Sequence, residues 1–233
     1  MSGIAGSAPN QERQGANDEF AGVVVIVLAA GAGARMGGPK ALMKVAKRAW
    51  WMRQQLALKT EVGIDALWVV TPLLRSRIER AARLFRRSTR ELVVPRMAAV
   101  EEPRAGAEPQ PMFASVLRGV RSVLNSGTIE RGVFVLPVDT PVPRRAVWSG
   151  LVRADRPAVP GYDGTKGHPI FLPISWLERR IIPLLSDEPS AAMAMRLDAL
   201  IGDNFQRVPV TDPRVAMNLN TPERRAEFER SLA

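Results

Sequence analysis

The run Val23-Val-Val-Ile-Val-Leu28 constrains this chain more than any other feature. Five of its six residues are valine or isoleucine, whose branched side chains favour extended backbone. With no polar residue at alternate positions, the strand needs apolar cover on both faces, as central strands of parallel sheets have. Ala66–Thr71, closed by Pro72, and Gly132–Pro137 repeat the pattern, and Glu91–Val94 is a shorter version. Between them lie helical stretches at about Val45–Thr60, Arg75–Arg90, Met112–Leu124 and Arg144–Arg153. Strands alternating with helices predict an α/β fold of three layers with a mostly parallel sheet, whose ligands sit beyond the carboxyl ends of the strands.

Beyond Asp139 the pattern loosens. Gly167–Leu172 and Phe205–Val210 read as strands, and Ile174–Leu185 and Ala191–Ile201 as helices separated by Asp187-Glu-Pro189. The last helix is well marked by Thr221 as cap, Pro222 in the first helical position and Glu223 beside it. Residues 95–111 carry Pro95, Pro103 and Pro109 and read as one long loop, a length usually tied to function or motion. Residues 1–20 lack an apolar period and read as a disordered leader to a single domain spanning 21–233.

The chain has no cysteine, which excludes disulfides, thiolate metal sites and cysteine nucleophiles. No stretch approaches the ~18 apolar residues of a membrane span and no secretory signal is visible, so the cytoplasm is the default location. The net charge of +10 is concentrated in arginines between Arg75 and Arg90. Such a cluster can attract nucleic acid. Here Leu74, Ile78, Ala81 and Phe85 form a helical stripe with the arginines opposite, so a solvated helix face is the better reading and nucleic acid is not expected as a partner.

Between the first strand and the first helix stands Leu28-Ala-Ala-Gly31-Ala-Gly33-Ala-Arg35-Met36-Gly37-Gly38-Pro39-Lys40. Glycines let backbone N–H groups approach anionic oxygens, Arg35 offers a planar fork to phosphate, and Lys40 adds a mobile charge. The dinucleotide fingerprint fails because Met36 stands at its third glycine. The P-loop fails because Pro39 separates Gly38 from Lys40 and no Ser or Thr follows. A tight turn carrying a surface arginine and lysine is the plainer alternative.

This run resembles the L-A-A-G-x-[GS]-x-R-M-G-x-x-K signature of the MobA-like NTP transferases, matching every specified position. The resemblance implies a Rossmann-like nucleotidyltransferase fold with a mixed, mostly parallel sheet. It further implies nucleotide binding by Leu28, Ala29, Ala30, Gly31, Gly33, Arg35 and Lys40, with Arg35 and Lys40 neutralising the triphosphate. Asp139, in Pro137-Val-Asp-Thr-Pro141, is an Asp-Thr-Pro turn on its own residues; the family carries a magnesium ligand in such a segment. Met217-Asn-Leu-Asn220-Thr-Pro-Glu223 resembles a second metal-binding segment, which makes Asn220 a candidate ligand, while turn chemistry also explains Asn218 and Asn220. The only histidine, His168, lies in Gly-His-Pro-Ile, similar to a segment on the acceptor side, although a lone histidine is more often structural. Ser115, in Gln110–Val120, falls in a segment like one near the base and metal; an ordinary helix burying Met112, Val116 and Val120 would look the same.

The activity implied is transfer of a nucleoside monophosphate to an acceptor phosphate, with release of pyrophosphate and dependence on Mg2+. Ala30 favours CTP over GTP, the two asparagines point weakly the other way, and the resemblance suggests molybdopterin as acceptor. A sugar-phosphate nucleotidyltransferase and a non-catalytic nucleotide-binding homologue are the alternatives. The chain departs from the family at 43–48, where a glycine-containing turn is usual, and at 186–192, which bears on the acceptor.

Overall fold

The computed structural model describes residues 19–31, 38–64, 66–86, 95–100, 112–127, 129–186 and 195–232. The predicted strand Glu91–Val94 lies outside these residues. The strands are β1 (Val23–Leu28), β2 (Lys44–Val45), β3 (Arg48–Ala49), β4 (Ala66–Val70), β5 (Arg96–Ala99), β6 (Gly132–Pro137), β7 (Ala158–Tyr162), β8 (Thr165–Lys166), β9 (Ile170–Pro173) and β10 (Gln206–Pro209). The main sheet has the order β10-β7-β9-β6-β1-β4-β5, with β8 attached to β7. β1 pairs in parallel with β4 and β6, β4 with β5, and β10 with β7, whereas β9 runs antiparallel to both β6 and β7. This is the mixed, mostly parallel sheet of a Rossmann-like fold.

β1 is buried along its whole length. Although uniformly apolar, it still alternates. Val23, Val25 and Val27 face a layer containing Trp50, Trp51, Trp68, Leu74, Ile78 and Trp148. Val24, Ile26 and Leu28 face Phe113, Val116, Val120, Trp176 and Leu177 on the other side. The helices Trp50–Ala57, Pro72–Arg86 and Arg145–Leu151 therefore cover one face, and Met112–Leu124 and Ile174–Arg180 the other. In the arginine-rich helix Leu74, Ile78 and Ala82 are buried while Arg77, Arg80 and Arg83 are exposed.

Several expectations need correction. Helix does not begin at Val45. Residues Lys44–Ala49 form a two-stranded hairpin whose loop residues, Ala46 and Lys47, both have positive φ (45° and 68°), and the helix starts at Trp50. The turn forms without glycine, at a conformational cost. The expected 95–111 loop begins with strand β5, and residues 101–111 lie outside the described part. Met112 is exposed, and Phe113 takes the buried position in that helix. The helix expected over Ala191–Ile201 is seen only at Leu197–Ile201, with 191–194 outside the described residues. Strand β7 had not been expected. Of the predicted leader, Glu19 and Phe20 are packed: Phe20 is buried, and Glu19 pairs with Arg145 at 3.2 Å.

Candidate active site

Parallel pairing decides where the site forms. Leu28 stands opposite Pro137 on β6 and Val69 on β4, so the chain leaving β1 and the chain leaving β6 emerge side by side. The ends are fastened: Val138 N–H donates to Leu28 O at 3.0 Å, and Ala29 N–H to Val69 O at 2.9 Å. The sheet therefore uses the Leu28 carbonyl and the Ala29 N–H, and the donors left for a ligand begin at Ala30. Ala30 is half-buried and Gly31 exposed. Among the described residues a Cβ at Gly31 or Gly38 would meet nothing within 4 Å, although Gly38, at a φ of 155°, has a backbone that favours glycine. Gly33 and Arg35 lie outside the described residues.

Lys40 opens a single 3-10 turn, Lys40–Leu42, anchored by the fully buried Ala41. Its ammonium reaches back across the strand ends to Asp139 Oδ2 at 2.8 Å, and also donates to the Asn220 amide oxygen. The pair is neither open to solvent nor sealed, with side-chain exposures of 23% for Lys40 and 13% for Asp139. Leu219 N–H donates to Asp139 O at 2.8 Å, which ties the two segments together at the backbone. Residues separated by up to 180 positions meet here: the glycine-rich turn's lysine, the carboxylate after β6 and the amide before the last helix.

His168 approaches from the antiparallel side. Its backbone N–H donates to Val215 O at 2.9 Å, and the Gly167 backbone N–H to Pro160 O at 2.9 Å. Gly167 is needed for that crossing, because a Cβ there would stand 2.3 Å from Val215 O. Burial pushes the His168 imidazole below the usual histidine range, a shift opposed in part by the Asp139 charge. Among the described residues its Nδ1 is buried with no hydrogen-bond partner. Ser115 is half-buried in the first turn of Met112–Leu124, a helix packed on β1 and β4.

Two hard oxygens, one from Asp139 and one from Asn220, converge on a single cation, the Lys40 ammonium. Such a donor set fits magnesium, which usually takes one or two protein carboxylates and fills its remaining positions with phosphate oxygens and water. Among the described residues no group of three or more His, Cys, Asp and Glu could hold a metal ion.

Sequence reading missed the residues behind the site. Gln54 is buried and bonds to residues 138, 140 and 142, and the Trp50 indole N–H donates to Val138 O. The available signal was a glutamine on the apolar stripe Trp50, Gln54, Leu58.

No curated protein matches the chain in sequence. Solved structures similar in fold include a Mycobacterium sp. strain JC1 homologue of M. tuberculosis Rv0371c (TM-score 0.64, 16% identity, covering 91% of this chain and 97% of that one). Another is the CTP:phosphocholine cytidylyltransferase of Streptococcus pneumoniae (0.60, 15%, 91% and 99%). A third is Rv0371c of M. tuberculosis H37Rv in complex with manganese (0.55, 14%, 90% and 98%). Among the described residues no helix is long and apolar enough to cross a membrane. A family model, the MobA-like NTP transferase domain, matches residues 25–199, and the chain accordingly belongs to that nucleotidyltransferase family.

Proposed function

We propose that the protein transfers CMP from CTP to a phosphate of a small acceptor, with Mg2+ held by Asp139 and Asn220. The observation that carries this reading is the meeting of Lys40, Asp139 and Asn220 at the carboxyl edge of two adjacent parallel strands. The triphosphate lies along Ala30–Gly33, with Arg35 and Lys40 against its oxygens. The acceptor phosphate enters from the His168 side. One acceptor oxygen forms a bond to the α-phosphorus, the bond from that phosphorus to the α,β-bridging oxygen breaks, and pyrophosphate leaves with the electron pair. Positioning and charge neutralisation supply most of the rate, since no covalent intermediate with the protein is needed. When bound, magnesium would neutralise the triphosphate and polarise the phosphoryl oxygens. Asp139 and Asn220 would hold the ion with the oxygens that now face the Lys40 ammonium, which would leave that ammonium to neutralise the phosphates. His168, neutral because it is buried, lines the acceptor side without acting as nucleophile.

The test is pyrophosphate release with CTP and GTP, each with molybdopterin and with a panel of sugar phosphates. Asp139→Ala should lower release by about 10³-fold with unfolding temperature nearly unchanged; wild-type rates in that variant would remove the metal assignment. Ala30→Gly should move the kcat/KM ratio toward GTP. Turnover with sugar phosphates and none with molybdopterin would select the sugar-phosphate reading. Nucleotide binding without turnover on any acceptor would select the non-catalytic one.

A further inference from the structure

Asp139 stands on a short loop with no regular structure, so its aim depends on what holds residues 138–142. Pro141 has no N–H, and the loop closes only one bond on itself, Thr140 N–H to Pro137 O at 3.1 Å. Val138 O, Asp139 O, Thr140 O and Val142 N–H are claimed from outside. Gln54 Nε2 donates to Thr140 O at 2.7 Å and to Val138 O at 3.3 Å, while Gln54 Oε1 accepts from Val142 N–H at 3.0 Å. One turn earlier on the same helix, Trp50 Nε1 also donates to Val138 O. From the opposite side Leu219 N–H holds Asp139 O.

Gln54 is 1% exposed, in a stripe otherwise made of Trp50, Trp51 and Leu58. A leucine would suit that stripe, and a buried amide is costly unless its donors and acceptor are met. All three are met here, on both sides of Asp139. The amide cannot flip: the reverse orientation would set its NH2 against the Val142 N–H and its oxygen against two carbonyls. Val138, Thr140 and Val142 are themselves buried, so water could not readily replace the lost partners.

We propose that Gln54 is a positioning residue for the Asp139 carboxylate, bracing the loop so that its oxygen points at the metal and Lys40. This rests on the reading of Asp139 as a metal ligand. Remote bracing of a ligand commonly governs about 10–100-fold of metal affinity, and misplacing a reacting group by about 1 Å can cost about 10²-fold in rate.

The experiment titrates Mn2+ in the presence of CTP, reading free Mn2+ by electron paramagnetic resonance, for wild type, Asp139→Asn, Gln54→Met and Gln54→Asn. Amide exchange at Val142 and the kinetics of pyrophosphate release are followed in the same proteins. Gln54→Met keeps the side-chain length and removes the bonds. It should weaken Mn2+ binding about 10-fold, lower kcat about 10²-fold with the KM for CTP within about twofold, and speed exchange at Val142. Wild-type Mn2+ affinity in a folded Gln54→Met protein, alongside loss in Asp139→Asn, overturns the positioning role and leaves the metal assignment standing. If wild type itself binds no Mn2+ with CTP, the metal assignment fails first and the positioning role with it. Should Gln54→Met not fold, Gln54→Asn decides the matter, since its shorter amide cannot span Thr140 and Val142 together; unchanged affinity in that variant overturns the proposal.

Discussion

Strands β1, β4, β5 and β6 run parallel, so their carboxyl ends gather at one edge and deliver Lys40 and Asp139 there almost as a consequence of burial. Across β6 the direction changes. β9 runs against its neighbours; His168 comes in on the stretch that leads into it, and the 213–220 segment follows β10 at the far side of the sheet. One half of the site is held by a deep two-faced core, the other by single close backbone contacts such as Gly167 against Val215. In the first half an error in packing is spread over many side chains; in the second it falls on one crossing.

The strongest test of that contrast is Gly167→Ala. The added methyl would stand 2.3 Å from the Val215 carbonyl oxygen and 2.7 Å from its carbon, both backbone atoms that cannot swing aside. A loss of about 3 kcal/mol is expected, or roughly 10 °C in unfolding temperature. Gly119→Ala asks the same question of the parallel half. Its Cβ would meet methyl groups of the buried Ile26 and Val69 side chains at 2.5 and 3.1 Å, a clash with side chains and not with backbone, so a smaller loss of about 2 kcal/mol is expected. Thermal unfolding of the two proteins ranks them; a reversed ranking would break the comparison.

The same contrast explains what was legible beforehand. Val23–Leu28 and Gly132–Pro137 announce themselves because burial on both faces is written locally, in branched residues. The final helix was equally plain, its Thr221 Oγ1 accepting from Arg224 N–H as a cap should. The meeting of Lys40 with Asn220 was open to inference only by resemblance, since no local pattern spans 180 positions. β7 escaped notice because Ala158-Val-Pro-Gly-Tyr162 contains a proline and a glycine, residues that usually argue against a strand. Gln54 was hidden for a different reason: its partners are backbone atoms, which carry no sequence signature.

A gentler probe of the loop-held half uses pH. Burial lowers the His168 pKa from its ordinary value, so the unfolded chain binds the proton more tightly than the native one. His168 therefore costs no stability above its unfolded value near 6.5, and stability should fall as pH drops from there toward the lowered native value. Comparison of denaturant midpoints across this window, for wild type and His168→Gln, isolates the contribution: the difference between their slopes should vanish above pH 7. Equal slopes throughout would mean that the imidazole is free to take its proton in the folded protein.

The smallest expected effect lies in the hairpin next to Lys40. Ala46 and Lys47 both occupy left-handed backbone, which costs a non-glycine residue about 1–2 kcal/mol, and Ala46 N–H is further pinned to Glu229 Oε1 at 3.1 Å. Replacing Lys47 by glycine relieves that strain but returns part of the gain as freedom of the unfolded chain, leaving a net stabilisation under about 1 kcal/mol. Measured against pyrophosphate release, the substitution separates two meanings of the strain. If Lys47→Gly raises stability and leaves turnover unchanged, the turn merely tolerates its sequence. If it raises stability and weakens acceptor binding, the exposed Lys47 ammonium is the reason a strained residue stands there, and the parallel half also supplies part of the acceptor's grip.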